Sequence, residues 1–549
     1  MRARVANDTR KRQGMLRIFG IFHLLLLLGC EAEIEPMQAV SSPQTVIVEQ
    51  GAVQGVDSPY TPASGASVTV FRGLPYAQPP VGDLRWRPPV APRSWQGARK
   101  ADTFSDSCYQ LQHTSNFVWR REAFAVSEDC LYLNVWTSQP TKKQPVMVWF
   151  HGGAHTSGQG HSPIFDGSEL AGQGVILVTI NYRLGPFGFL AHPLLAGESM
   201  HSSAGNYGLL DKIAALKWVQ NNAAAFGGDP NNVTIFGQSA GSQSVCALMA
   251  SPLAEGLFSK AIGQSAACVN TIPEQDANGY ERGRALVNTL DATTLVALRK
   301  IEPETILAAS ESTQWADASR ITVDGWVLPE LPDVTFKAGR QAKVPLLLGF
   351  LANEGEELFP VDLALTDEGL DGFLTMLWGN KGLGLKPLYS QPGLTPGEVQ
   401  HAVATDYFMA FGMRRWAGYQ HAVGQPTFFY FMDHVPPAFH LYMSEPPELS
   451  LPGGPRSGGA YHSGDLALVF GNTDKVGFDW TDADRKVSQN MMRYWVNFAR
   501  SGNPNGDQVL PWPAFDPVLQ NTQVINEVPT TMQGVRRRQL DIMELPALQ

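Results

Sequence analysis

The chain has 549 residues, 44% hydrophobic and 17% charged, with a formal net charge of −10. That is enough apolar material for a large core, and its length fits a single large α/β enzyme as well as several smaller domains. The acidic balance, without long basic runs beyond the N-terminus, argues against nucleic-acid binding, and no repeat, heptad or low-complexity tract is visible.

The N-terminus reads as an export signal. Arg2, Arg4, Arg10, Lys11, Arg12 and Arg17 form a basic region, and Ile18 to Leu28 form an apolar stretch too short to span a bilayer. Leu27-Leu28-Gly29-Cys30 resembles a bacterial lipobox, in which Cys30 becomes the lipid-anchored first residue of the mature chain. The rival is ordinary signal cleavage near Ala32, releasing a secreted protein. The organisation expected is a signal peptide over 1–29, a tether over 30–44 and one domain over 45–549, reaching a membrane through the anchor alone.

Five cysteines fit an oxidising compartment. With Cys30 set aside, Cys108–Cys130 is the favoured bridge, closing a loop that would constrain the unfolded chain by about 3 kcal/mol. Cys246–Cys268 is a further pairing, against which a buried free thiol at Cys246 is the favoured reading.

Residues 45–56 and 67–76 alternate apolar with small or polar positions and predict N-terminal strands. Residues 77–107, rich in Pro, Trp and Arg, predict irregular chain. Continuous apolar runs at 145–150, 175–180, 233–236, 345–350 and 427–431 predict strands covered on both faces. Leu209, Ile213 and Leu216 share one helical face. Strands alternating with helices predict an α/β architecture: a large, mostly parallel central sheet with helices on both faces, and a helical cap from residues 360–425.

Within that frame, Val233-Thr-Ile-Phe-Gly237-Gln-Ser239-Ala-Gly241 reads as strand, sharp turn and helix with a serine at the apex, the nucleophile elbow. Gly237 and Gly241 stand where a Cβ would collide. Gly263-Gln-Ser265-Ala-Ala267 lacks the second glycine and His201-Ser-Ser203-Ala-Gly205 the first, so Ser239 alone has the full context. After the 145–150 strand, His151-Gly152-Gly153-Ala154 can aim backbone N–H groups at a developing oxyanion, with Gly153, Ala154 and Ala240 as the donors. His151, His155 and His161 do not suggest a metal site, because no helix sets two of them on one face and no acid lies between them. No cofactor is called for.

A serine nucleophile needs a histidine base and an orienting carboxylate. Glu354 lies just past the 345–350 strand, in the position such an acid takes. Two histidines compete for the base: His462, in a small-residue loop, and His434, after the 427–431 strand.

Taken together, these residues resemble the type-B carboxylesterase and cholinesterase family of α/β-hydrolases. The likeness covers about 44–545 and rests on Phe71-Arg-Gly-Leu-Pro-Tyr-Ala, Ser127-Glu-Asp-Cys-Leu-Tyr-Leu-Asn134, His151-Gly-Gly-Ala, Asn181-Tyr-Arg-Leu-Gly, Asn206-Tyr-Gly-Leu-Leu-Asp211 and Phe226-Gly-Gly-Asp-Pro. The resemblance implies a triad of Ser239, Glu354 and His462, the last in an H-x-x-D/E loop closed by Asp465. It also implies Gly153, Ala154 and Ala240 as the oxyanion hole, Ser265 as a serine beside the triad, and the Cys108–Cys130 bridge. Gln238 stands where glutamate is commoner, and Ala154 where a third glycine is frequent. The implied activity is hydrolysis of a small-molecule carboxylic ester through an acyl-enzyme. The rivals are a catalytically silent recognition protein and an amidase or peptidase with the same triad.

Overall fold

The computed structural model describes residues 44–111, 124–139, 142–269, 271–272, 276–313, 320–355, 360–438, 454, 456–476 and 479–544. Cys30, the signal and the tether up to residue 43 lie outside them. Among the described residues, one sheet of eleven strands contains β1 Val56–Asp57, β2 Thr69–Pro75, β3 Tyr132–Thr137, β4 Gln144–Phe150, β5 Ile176–Ile180, β6 Gly228–Gln238, β7 Lys260–Gln264, β8 Leu346–Leu351, β9 Thr427–Met432, β10 Asn521–Ile525 and β11 Thr530–Gln533. Their order is β11-β10-β9-β8-β7-β6-β4-β5-β3-β2-β1. Pairing is parallel from β10 to β5 and antiparallel beyond both ends of that block.

The apolar runs form central strands because both faces are buried. Val146, Val148 and Phe150 of β4 join one core with Val233, Ile235, Leu346 and Leu348. Met147 and Trp149, pointing the other way, join a second with Phe236, Ile262 and Leu347. Helices α1 Tyr207–Asn222 and α2 Ala240–Ala250 bury their apolar residues in the first core. Helices α3 Leu466–Phe470 and α4 Asp482–Ser501 bury theirs in the second. Trp149 sits at the centre of that second core, its ring 4.8 Å from Phe236, 5.0 Å from Phe165 and 5.0 Å from Phe470. Each such fully buried large side chain contributes about 1.5–3 kcal/mol by leaving water.

Four strands of the sheet do not stand out in the sequence. β3 carries Asn134 and Thr137, β7 opens on Lys260 and contains Gly263, and β10 and the edge strand β11 are largely polar. Tertiary pairing overrides these weak local preferences. Residues 45–56 form Thr45–Val48, Gly51–Gln54 and the start of β1; Gly51–Gln54 pairs with Thr45–Val48 on one side and Ala98–Lys100 on the other in a separate small sheet. Residues 360–425 contain the helices Asp367–Trp378, Lys386–Tyr389, Pro396–Thr405 and Phe411–Ala422. Among the described residues no helix is long and apolar enough to cross a membrane.

Two disulfides are present, Cys108–Cys130 and Cys246–Cys268. The second corrects the free-thiol expectation for Cys246. β7 runs parallel beside β6, so the chain leaving β7 passes along α2 and brings the two Cα atoms within 5.5 Å.

Candidate active site

β6 ends at Gln238 and α2 begins at Ala240, leaving Ser239 alone to turn the chain at φ 55°, ψ −127°. A residue with a side chain adopts that conformation only where its surroundings enforce it. Here the enforcing contact is the close approach of α2 to the sheet. A methyl on Gly237 would lie 2.5 Å from the Gly241 carbonyl carbon, and one on Gly241 would overlap the Phe150 carbonyl oxygen. Ser239 is partly exposed, at the positive end of α2.

The loop after β4 lies against this turn. A Cβ on Gly152 would sit 3.1 Å from the Ser239 Cβ. Gly153, Ala154 and His155 all have positive φ, at 103°, 52° and 59°. The Gly153 carbonyl accepts the Thr156 and Ser157 N–H groups, closing the loop on itself. Among the described residues, the N–H groups of Gly153, Ala154 and Ala240 donate to no other group. Backbone donors held ready in this way are what an oxyanion site requires.

Glu354 and His462, 108 residues apart, meet with Nδ1 of the imidazole 2.5 Å from Oε2 of the carboxylate, both side chains almost wholly buried. Oε1 accepts the Leu351 N–H at 2.7 Å, which orients the carboxylate against the end of β8. The two loops are stitched together beside this pair. The Asn353 N–H donates to the Ala460 carbonyl at 3.0 Å, and Asn353 Oδ1 accepts the Ala460 N–H at 3.0 Å. Gln238 Nε2 donates to the His462 carbonyl at 2.8 Å, tying the histidine loop to the serine turn. An ionised glutamate at 238 has no donor for that bond.

His434, the competing histidine, is committed elsewhere. Its Nε2 lies 2.7 Å from Asp484 Oδ1, and Arg456 holds the other carboxylate oxygen at 2.5 Å. Ser265 follows β7, fully buried, with φ 56°.

A buried network at the far end of the histidine loop has less obvious sequence signals. Asp465 Oδ2 accepts Gln264 Nε2 at 2.8 Å and the Tyr430 hydroxyl at 3.1 Å. Burial, with the Glu354 charge nearby, pushes the Asp465 carboxyl up to about 7, against donation from Gln264 and Tyr430. The repeated Gly-Gln-Ser of β6 and β7 was the available clue to Gln264.

The sequence matches the Carboxylesterase family over residues 42–370 and 396–543. It is 36% identical over 486 residues to a fumonisin B1 esterase of Sphingopyxis macrogoltabida, covering 85% of this chain and 84% of that one. It is 35% identical over 500 residues to a para-nitrobenzyl esterase of Bacillus subtilis (strain 168), covering 88% and 95%. Among solved structures, a PNB esterase superposes with a TM-score of 0.78 at 32% identity, over 92% of this chain and 100% of that one. A Geobacillus stearothermophilus carboxylesterase superposes equally well, at 0.78 and 29% identity, over 91% and 99%.

Proposed function

Since the chain belongs to the carboxylesterase family, with the α/β-hydrolase fold and ester-hydrolysing relatives, we propose that Ser239, His462 and Glu354 are its catalytic triad. The observation that carries the reading is the buried His462–Glu354 pair, fastened to the serine turn by Gln238. Ser239 Oγ attacks the ester carbonyl carbon as His462 Nε2 takes its proton. Glu354, on Nδ1, fixes the tautomer and stabilises the imidazolium. The carbonyl oxygen, now an anion, receives the N–H groups of Gly153, Ala154 and Ala240; removing one such donor typically costs about 10²–10³ in rate. Collapse expels the alcohol with the proton from His462. Water then attacks the acyl-enzyme by the same route and releases the acid.

Ser265 is proposed as a serine supporting the triad, and residues 45–549 as one catalytic domain. Export is proposed from the basic and apolar N-terminal runs, with Cys30 acylated or the chain cut near Ala32. A fluorophosphonate probe tests the site in one measurement: intact protein should take up one equivalent, mapped to Ser239. Folded protein that remains unlabelled at Ser239 would return the chain to the silent, recognition-only class. The intact mass of the labelled protein also reads where the mature chain begins and whether it carries lipid. A para-nitrobenzyl ester is the first substrate to assay, following the name of the Bacillus subtilis relative.

A further inference from the structure

Helix α1 carries a buried ionisable side chain that the proposed mechanism does not use. Lys212 is wholly buried. Its neighbour Asp211 is engaged by Arg183, whose NH2, Nε and backbone N–H donate to it at 2.7, 2.9 and 3.0 Å. Among the described residues Lys212 forms no ion pair; Nζ donates to the Gly208 carbonyl at 3.3 Å and stands 3.0 Å from the centroid of the Tyr182 ring. Burial drives the amine well below its ordinary value. A group held in so unfavourable a place calls for an explanation beyond packing, because an apolar side chain of the same length would fill the space at lower cost.

Tyr182 supplies the connection. The His151 imidazole stacks on its ring at 4.3 Å and 20°. A gap of that width cannot also hold an amine 3.0 Å from the same ring, so Lys212 and His151 occupy opposite faces. The Tyr182 hydroxyl donates to the His151 carbonyl at 2.7 Å. His151 is the residue from which Gly152, Gly153 and Ala154 depart. At the other end of the loop His155 is buried, with Nε2 3.3 Å from Gln243 Oε1.

We propose that Lys212 is a positioning residue for the oxyanion loop: through the face and hydroxyl of Tyr182 it fixes the His151 carbonyl, and with it the direction of the Gly153 and Ala154 N–H groups. An N–H or N–H⁺ aimed at a π face holds the ring by electrostatics that a methylene lacks. The catalytic half of this inference rests on the reading of Gly153 and Ala154 as oxyanion donors.

The test compares full-length parent, Lys212→Met and Lys212→Gln by amide hydrogen exchange, thermal melting and steady-state kinetics on a para-nitrophenyl ester. In Lys212→Met, exchange across 151–157 should quicken about tenfold and kcat fall about tenfold with KM nearly unchanged, a loss confined to the transition state. The melting temperature should hold or rise, because a buried amine is gone. Lys212→Gln, which keeps an N–H, should recover part of kcat. Unchanged exchange in 151–157 for Lys212→Met overturns the proposal, and so does faster exchange throughout the chain with a lower melting temperature. If the parent hydrolyses no ester, the catalytic reading fails, while the exchange of 151–157 still decides whether Lys212 holds the loop.

Discussion

Two neighbouring parallel strands end in the same two residues, each followed by a serine. Gly237-Gln238 closes β6 before Ser239 and Gly263-Gln264 closes β7 before Ser265, paired Gly to Gly and Gln to Gln. Both serines sit in the left-handed region, at φ 55° and 56°. Beyond that point they part. Ser239 is partly exposed and opens an eleven-residue helix; Ser265 is wholly buried and leads into Ala266-Ala267-Cys268. Backbone strain is therefore common to both, and what separates a candidate nucleophile from a candidate supporting serine is access, a helix N-terminus and a nearby base. Two residues on from each serine, Gly241 lets α2 close on Phe150 where Ala267 carries a methyl.

The widest break in this pairing is kinetic. Ser239→Ala should lower kcat by about 10⁴–10⁶, as removal of a serine nucleophile does. Ser265→Ala, at a serine that only supports the triad, should cost far less, about three- to tenfold in kcat. Among the described residues its hydroxyl is buried and unpartnered, so removing it should leave stability level or raise it by up to about 1 kcal/mol. Comparable activity losses in the two variants would show that the strands are not functionally distinct.

The next contrast is steric. Gly241→Ala places a methyl on the Phe150 carbonyl oxygen and should cost about 3 kcal/mol or more, read as a clear drop in melting temperature. Ala267→Gly, at the matching offset, should cost no more than about 1 kcal/mol. A Gly241→Ala protein that melts with the parent would mean that the helix does not need its close approach.

The same contrast explains what could be read from the residues alone. β6 and its elbow were legible because a β-branched run, two flanking glycines and a helix-compatible segment agree locally. β7 was obscured by Lys260 and Gly263, so its place beside β6 went unread, and with it the proximity that joins Cys246 to Cys268. The proposed acid, Glu354, was a candidate from its position after β8. The histidine was not fixed by spacing, because His462 and His434 both follow the acid in suitable loops; resemblance pointed to His462, and the fold pairs His434 with Asp484. Long-range contacts such as Gln238 to His462 have no local signature, and the departure from glutamate at 238 became intelligible only through that bond.

The finest distinction concerns what the two glutamines hold. Gln238 reaches the His462 carbonyl and Gln264 reaches Asp465, so the paired strands grip the two ends of one four-residue loop. The first grip is neutral. The second involves a carboxyl whose folded value is raised to about 7, with burial as the main cause and Glu354 adding to it. An ordinary aspartate titrates near ~3.9. The native state thus binds this proton more tightly than the unfolded chain, and the Asp465 contribution to stability is present below about pH 4 and is lost as pH rises toward 7. Asp465→Asn keeps an acceptor for Gln264 and Tyr430 and has no charge to bury. Its melting temperature should match the parent's near pH 4, exceed it increasingly up to about pH 7, and hold a constant margin above that. A margin that does not change with pH would mean that Asp465 is already ionised at its ordinary value, and that the second grip is as indifferent to protons as the first.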